Sequence, residues 1–145
     1  MRPDLTAPFS PTFPRIPPGM LKPDFLIWKR FQAKFSSMFK TVYFNVRIGE
    51  PAPVIENLPI EIRKLAEDLS RRRIDIVGET VDNWWIIELK PSAGASALGQ
   101  AILYRTLWRL EPPDQRPVVA AIVTDQTDVN IAIGARENGI VLIVI

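Results

Sequence analysis

Two apolar segments near the C-terminus, residues 117–124 and 139–145, constrain this chain more than any other feature. Both are almost free of polar side chains, and residues 127–138 between them are long enough for one helix. A strand that alternates apolar and polar residues can face water on one side, whereas a strand without alternation has to be covered on both. Two such strands joined through a helix form a parallel βαβ crossover buried on both faces, which requires an α/β architecture.

The preceding elements fit that frame. Residues 25–40 carry Trp28, Phe31, Phe35 and Met38 or Phe39 at helical spacing, with Asp24 as the expected N-cap. Residues 41–48 alternate and are rich in β-branched and aromatic side chains, which predicts a strand ended by Gly49 and the prolines at 51 and 53. Pro59 suits the first turn of a second helix, in which Ile62, Leu65, Ala66 and Leu69 form the apolar stripe. The pairs Arg63/Glu67 and Lys64/Asp68 lie outside it. Strands follow at 72–79 and 84–90, joined by a turn at Asp82 and Asn83 and stopped by Pro91 and Gly94, and a third helix covers 95–110. The expected fold is α/β, a mixed central sheet flanked by helices, in a domain spanning residues 24–145.

Residues 1–23 differ from the rest. They hold seven of the 14 prolines, mixed with Leu5, Phe9, Phe13 and Ile16, and show neither period. This segment is an extended N-terminal arm. Disordered tails avoid large apolar residues, so these side chains are expected to dock in grooves, on the chain's own body or on a partner. Ordering the arm costs about 1 kcal/mol per residue or more, and a domain of this size offers limited surface to offset it. The arm is therefore expected to reach a neighbouring chain and drive oligomeric assembly.

The chain has no Cys and no His. That removes disulfides, thiol nucleophiles, imidazole bases, Ser-His triads and the usual Cys/His zinc sites. Catalysis would fall to carboxylates, Lys, Tyr or Ser, and carboxylate sites suit hard cations and phosphate chemistry. The net charge is only +2, so contact with nucleic acid has to come from local patches. One such stretch, residues 25–49, holds Lys29, Arg30, Lys34, Lys40 and Arg47 and no acidic residue. Its cations suit either phosphate contact or the solvated face of a core helix. No apolar run approaches the ~20 residues of a membrane span, and no signal-peptide stretch opens the chain. A soluble, intracellular protein without membrane contact is expected.

Chemistry concentrates between residues 72 and 104. Along the strand at 84–90, Glu88 and Lys90 share one face and Ile87 and Leu89 the other. In the strand before it, Ile74 and Ile76 are expected to point one way and Asp75 the other, which places Asp75 beside Glu88 across the hairpin. Two carboxylates next to a lysine suit metal-assisted phosphodiester hydrolysis, although a surface hairpin with a cross-strand ion pair has the same pattern. Gln100 and Tyr104 follow at i, i+4, on one helix face.

Taken in order, Arg73-Ile74-Asp75-Ile76-Val77, Ile86-Ile87-Glu88-Leu89-Lys90 and Gln100-Ala101-Ile102-Leu103-Tyr104 resemble the Asp, Glu-x-Lys and Gln-x-x-x-Tyr motifs of the PD-(D/E)XK nucleases, RecB-like branch. The resemblance spans residues 58–145 and implies a nuclease-like (restriction-endonuclease-like) core. It implies that Asp75 and Glu88 ligate Mg²⁺ or Mn²⁺ together with the Leu89 backbone carbonyl. Lys90 would orient or activate the attacking water, and Gln100 and Tyr104 would support the site and touch the nucleic-acid backbone. Ile74 stands where many relatives carry Pro, a common departure in this branch. A further acidic ligand from the first core helix is assigned to Glu61, with Asp68 and Glu56 as alternatives.

Arg71, Arg72 and Arg73 abut this site and either grip phosphates or stay solvated; Arg105 and Arg109 would extend the patch. Trp84 and Trp85 divide between core and sheet edge, with base stacking the lesser option. The expected function is Mg²⁺-dependent hydrolysis of DNA phosphodiesters, in the cytoplasm or in a phage virion. The alternative is a structural head-to-tail connector or neck protein of a phage that has kept the fold, its arm engaging portal or neck proteins. A restriction or repair enzyme acting alone ranks last, for want of a specificity domain.

Overall fold

In the computed structural model, residues 1–53 and 57–145 are described. The elements are α1 (Lys22–Phe35), a 3-10 turn (Ser36–Met38), β1 (Thr41–Ile48), α2 (Ile60–Ser70), β2 (Arg72–Glu79), β3 (Trp84–Ser92), α3 (Ala95–Leu110), β4 (Val118–Gln126), α4 (Val129–Glu137) and β5 (Val141–Val144). The sheet runs β1-β2-β3-β4-β5. Its first three strands are antiparallel neighbours, and β4 and β5 continue parallel to β3. This is the expected α/β arrangement, with a mixed sheet between helices.

Each face of the sheet has its own core. Ala97, Ala101, Tyr104 and Trp108 of α3 and Ala135 of α4 pack on Ile86, Ala120 and Ile122. On the other face, Ile27, Trp28 and Phe31 of α1 pack on Ile76, Ile87, Leu89, Ala121 and Val123. The unbroken apolar run of β4 is thus covered from both sides, Ala120 and Ile122 by one layer and Ala121 and Val123 by the other. The expectation of equal burial for the last strand is corrected: β5 forms the sheet edge, and Val144 is 57% exposed.

Local departures have identifiable causes. Helix α1 starts at Lys22 rather than at 25, because Pro23, with its preset φ, enters the first turn, and Asp24 lies in that turn instead of capping it. In α4, by contrast, Asp128 is a true cap and accepts hydrogen bonds from the N–H groups of Asn130 and Ile131. The predicted stripe of α2 forms a helix but enters no core. None of its residues is buried, and Ile62, Leu65 and Leu69 are all more than half exposed.

The arm corrects the expectation that the domain's own surface could not hold it. Phe9 and Val42 of β1 exchange both backbone hydrogen bonds, at 2.8 and 3.0 Å, and Asp4 N–H donates to the Arg47 carbonyl at 3.0 Å. The Gln32 amide on α1 donates to the carbonyls of Pro11 and Phe13. The Phe9 ring meets Phe44 and Phe13 edge-on, at centroid distances of 5.1 and 4.8 Å. The open edge of β1 needs backbone partners in any case, and the groove beside α1 supplies apolar contact, so the arm satisfies both. Ile16 takes little part and stays 46% exposed.

Close approach of Phe39, which follows the 3-10 turn, to β2 requires Gly78. A Cβ there would stand 2.4 Å from the Phe39 ring. Gly78→Ala is therefore expected to cost about 1–3 kcal/mol, read as a lower urea midpoint with an unchanged slope.

Candidate active site

The turn after Glu79 sets the hairpin register, pairing Glu79 with Trp84, Gly78 with Trp85, Val77 with Ile86 and Ile76 with Ile87. Asp75 and Glu88 are next in line, and there the ladder stops. Side chains replace the backbone bonds: the Asp75 N–H donates to Glu88 Oε1 at 3.3 Å, and the Leu89 N–H donates to Asp75 Oδ2 at 2.9 Å. The two strands separate where the two carboxylates sit.

A second distortion lies across β2. Asn45, opposite Asp75 in the β1 register, has φ +55°, and its pair is missing from the ladder. Asn tolerates this left-handed conformation, and its side-chain amide donates to the Pro18 carbonyl. The left-handed residue turns β1 over: Val42 belongs to the core under α1, Val46 and Ile48 to the core under α3. β2 follows the same switch, with Ile76 facing α1 and Ile74 facing α3. The expectation that Ile74 and Ile76 share a face is corrected, because alternation holds only while every residue stays extended.

A cavity of about 450 Å³ opens at the separation. Asp75, Glu88 and Lys90 line it from the sheet, Gln100 and Tyr104 from α3, and Arg72 and Arg73 from the start of β2. Five residues from three sequence segments thus meet around it.

Glu88 is only 3% exposed. Burial first, and then the charge of Asp75, hold its carboxyl well above the ordinary carboxylate range, against the opposing pull of the Asp75 N–H bond and Lys90. Burial, reinforced by Glu88 and Asp75, also pushes the Tyr104 phenol up, so it keeps its proton at neutral pH. One participant was missed. Asp24, in the first turn of α1, shares a small recess with Asp75, Leu89 and Arg73, and burial and then Asp75 raise its carboxyl. Its sequence signal was isolation, since no other acid stands between Asp4 and Glu50.

The donors suit a hard cation. In an extended strand a residue's N–H and C=O point to the same side, so the Leu89 carbonyl faces the gap into which its N–H donates. Gln100 Oε1 is buried without a hydrogen-bond partner. Among the described residues no three acidic side chains form a complete metal cage. Mg²⁺ does not need one, because it binds through one or two carboxylates and keeps waters or phosphate oxygens for the rest.

Other expected residues lie elsewhere. Arg71 borders the cavity, but it is 7% exposed and its guanidinium donates to the carbonyls of Gly49, at 2.8 Å, and Arg2. It ties the arm to the sheet and has little reach towards phosphates. Arg105 donates to the Gly139 carbonyl at 3.1 Å, at the turn between α4 and β5. Lys29, Arg30 and Lys34 ride on α1, the helix that covers the sheet face opposite α3, and Arg30 pairs with Asp125. Glu61 and Asp68 are exposed on α2 and do not line the cavity, because α2 stays outside the core; Glu56 lies outside the described residues. Trp84 packs against Trp108 and carries the Arg116 guanidinium over its ring at 4.5 Å, and Trp85 meets Phe39 edge-on.

No family model, curated protein or solved structure matches this chain.

Proposed function

We propose that this chain hydrolyses DNA phosphodiesters with a divalent cation, on a core of the PD-(D/E)XK type that its motifs resemble. The observation that carries this reading is the parting of β2 and β3 at Asp75 and Glu88, which gathers both carboxylates, Lys90, Gln100 and Tyr104 around one cavity. Asp75, Glu88 and the Leu89 carbonyl would hold Mg²⁺ or Mn²⁺. A cation bound there supplies Lewis-acid stabilisation of the charge that develops on the phosphoryl oxygens.

The remaining work belongs to the chain. The Lys90 ammonium donates to the attacking water, orients it and stabilises negative charge beside it. Tyr104, kept protonated, donates its O–H to a phosphate oxygen, and the Gln100 carboxamide fixes the substrate backbone. Arg72 and Arg73, exposed at the cavity rim, hold flanking phosphates.

The wild-type chain is expected to cut linear, nicked or branched DNA with Mg²⁺ or Mn²⁺ and to stop in EDTA. Lys90→Ala should lower the rate at least ~100-fold at an unchanged melting temperature. A wild-type chain inert with every cation and DNA form would overturn the reading and favour the phage connector or neck protein. Replacing Arg72 and Arg73 together by alanine is expected to reduce the salt dependence of DNA binding by about two phosphate contacts. Arg71→Ala should instead lower the melting temperature.

A further inference from the structure

Among the described residues Asn45 is the one non-glycine residue with a positive φ. The left-handed conformation is costly for a residue with a Cβ, and Asn bears it best, so its place inside a strand calls for a reason. It stands opposite Asp75. The register is the same on either side of that position, with Phe44 paired to Ile76 and Val46 to Ile74, so no residue is inserted and neither strand slips. What changes is the facing: Phe44 and Ile76 pack under α1, Val46 and Ile74 under α3.

Asp75 sits at the reversal. In a strand that stayed extended its side chain would stand off the sheet on the α3 face, because Ile76 takes the other face. Instead Asp75 lines both the cavity walled by α3 and the recess beside Asp24 of α1. Its Oδ2 accepts the Leu89 N–H at 2.9 Å. Ladder N–H groups point across the sheet from strand to strand, so a carboxylate that accepts one lies between the strands and not above them. The arm holds Asn45 in the conformation that goes with this. The Asn45 amide donates to the Pro18 carbonyl, and Gly19, at φ +80°, lies so close that a Cβ on it would stand 3.1 Å from Asn45 Nδ2.

We propose that Asn45 is a positioning residue for the candidate cation site: its left-handed backbone reverses β1 and β2 together and so brings the Asp75 carboxylate into the gap between β2 and β3. Asn45 lines the small recess and not the cavity, so it acts through Asp75. The backbone conformation carries the effect, and the amide bond to Pro18 only secures it. The service to a cation rests on the nuclease reading, whereas the placement of Asp75 does not.

Two substitutions in the full chain separate conformation from side chain. Glycine enters the left-handed region freely but has no amide, whereas valine, β-branched, is driven out of it. Amide hydrogen exchange of the metal-free protein, followed by NMR, reads the Leu89 N–H that Asp75 accepts. In Asn45→Gly its protection should stay within about threefold of the wild type, and in Asn45→Val it should fall ~10-fold or more relative to Val77 and Ile86 in the intact ladder. A general loss of stability lowers all three together and does not single out Leu89. The affinity for Mn²⁺, measured from the resonance of the free ion, should drop ~10-fold or more in Asn45→Val and hold in Asn45→Gly. If the valine variant fails to fold, Asn45→Ala, without the β-branch, takes its place. A valine variant with wild-type relative protection at Leu89 or wild-type Mn²⁺ affinity, or a glycine variant as impaired as the valine one, would overturn the proposal. A wild type that binds no Mn²⁺ would overturn the nuclease reading instead, and the Leu89 exchange would still decide what Asn45 does to Asp75.

Discussion

Replacing Glu88 with glutamine is expected to abolish cation-dependent cleavage and, at the same time, to raise the melting temperature of the cation-free protein. The side chain is buried beside Asp75, so its negative charge is costly in the folded state. Glutamine keeps the shape and the oxygen that accepts the Asp75 N–H, and it carries no charge. The folded protein holds the Glu88 proton to higher pH than the unfolded chain does. Its contribution to stability is therefore greatest below the ordinary carboxylate range and is lost as pH rises through the raised folded-state value. In EDTA at neutral pH the variant should gain about 1–3 kcal/mol, and its stability should fall less steeply with pH than that of the wild type. Cation binding favours the charged form, so Mg²⁺ should stabilise the wild type and leave the variant unmoved. The rate should fall at least ~1000-fold. Thermal melts at several pH values, with and without Mg²⁺, check the stability part; a variant that melts lower than the wild type in EDTA would contradict it.

Deleting residues 1–16 should cost about 3 kcal/mol or more, because it removes Phe9, together with Phe13 that packs on it, from Phe44, and Leu5 from the core under α3. It also strips the backbone partners from Val42 and Arg47 and exposes the β1 edge, which favours aggregation. Denaturant titration and light scattering of the truncated chain measure both effects. Phe9→Ala alone should account for much of the loss and Ile16→Ala for almost none, as Ile16 is half exposed. A truncated chain with the wild-type midpoint would return the arm to a role outside its own domain.

These expectations rest on two kinds of information. The bounds of β1, β2 and α3 could be read directly, since Gly49, the Asp82-Asn83 turn and Gly94 punctuate them and alternation or helical spacing fills them. The pairing of Asp75 with Glu88 and the common face of Gln100 and Tyr104 were legible for the same reason, since a short turn sets the hairpin register and an i, i+4 spacing sets the helix face; that this face turns towards the carboxylates was only implied by the motif resemblance. Local geometry settles both, because each involves residues a few positions apart or joined by a tight turn.

Coverage was a different matter. The stripe of α2 looked the same as the stripe of a core helix, yet α1, α3 and α4 occupy the two sheet faces and leave α2 outside. Arg71 belonged to a run of three arginines, and only the meeting of Gly49, Arg2 and the start of β2 buries it while Arg72 and Arg73 stay in solvent. The left-handed turn at Asn45 reversed the facing of Ile74 relative to Ile76, and the start of α1 at Lys22 brought Asp24 to Asp75. Periodicity, turns and capping act between near neighbours and so determined the elements and the residues that share a face. Which face is covered, which cation stays free and which distant carboxylate joins the site depend on competition among all elements for the same surfaces, and only the tertiary structure decided those.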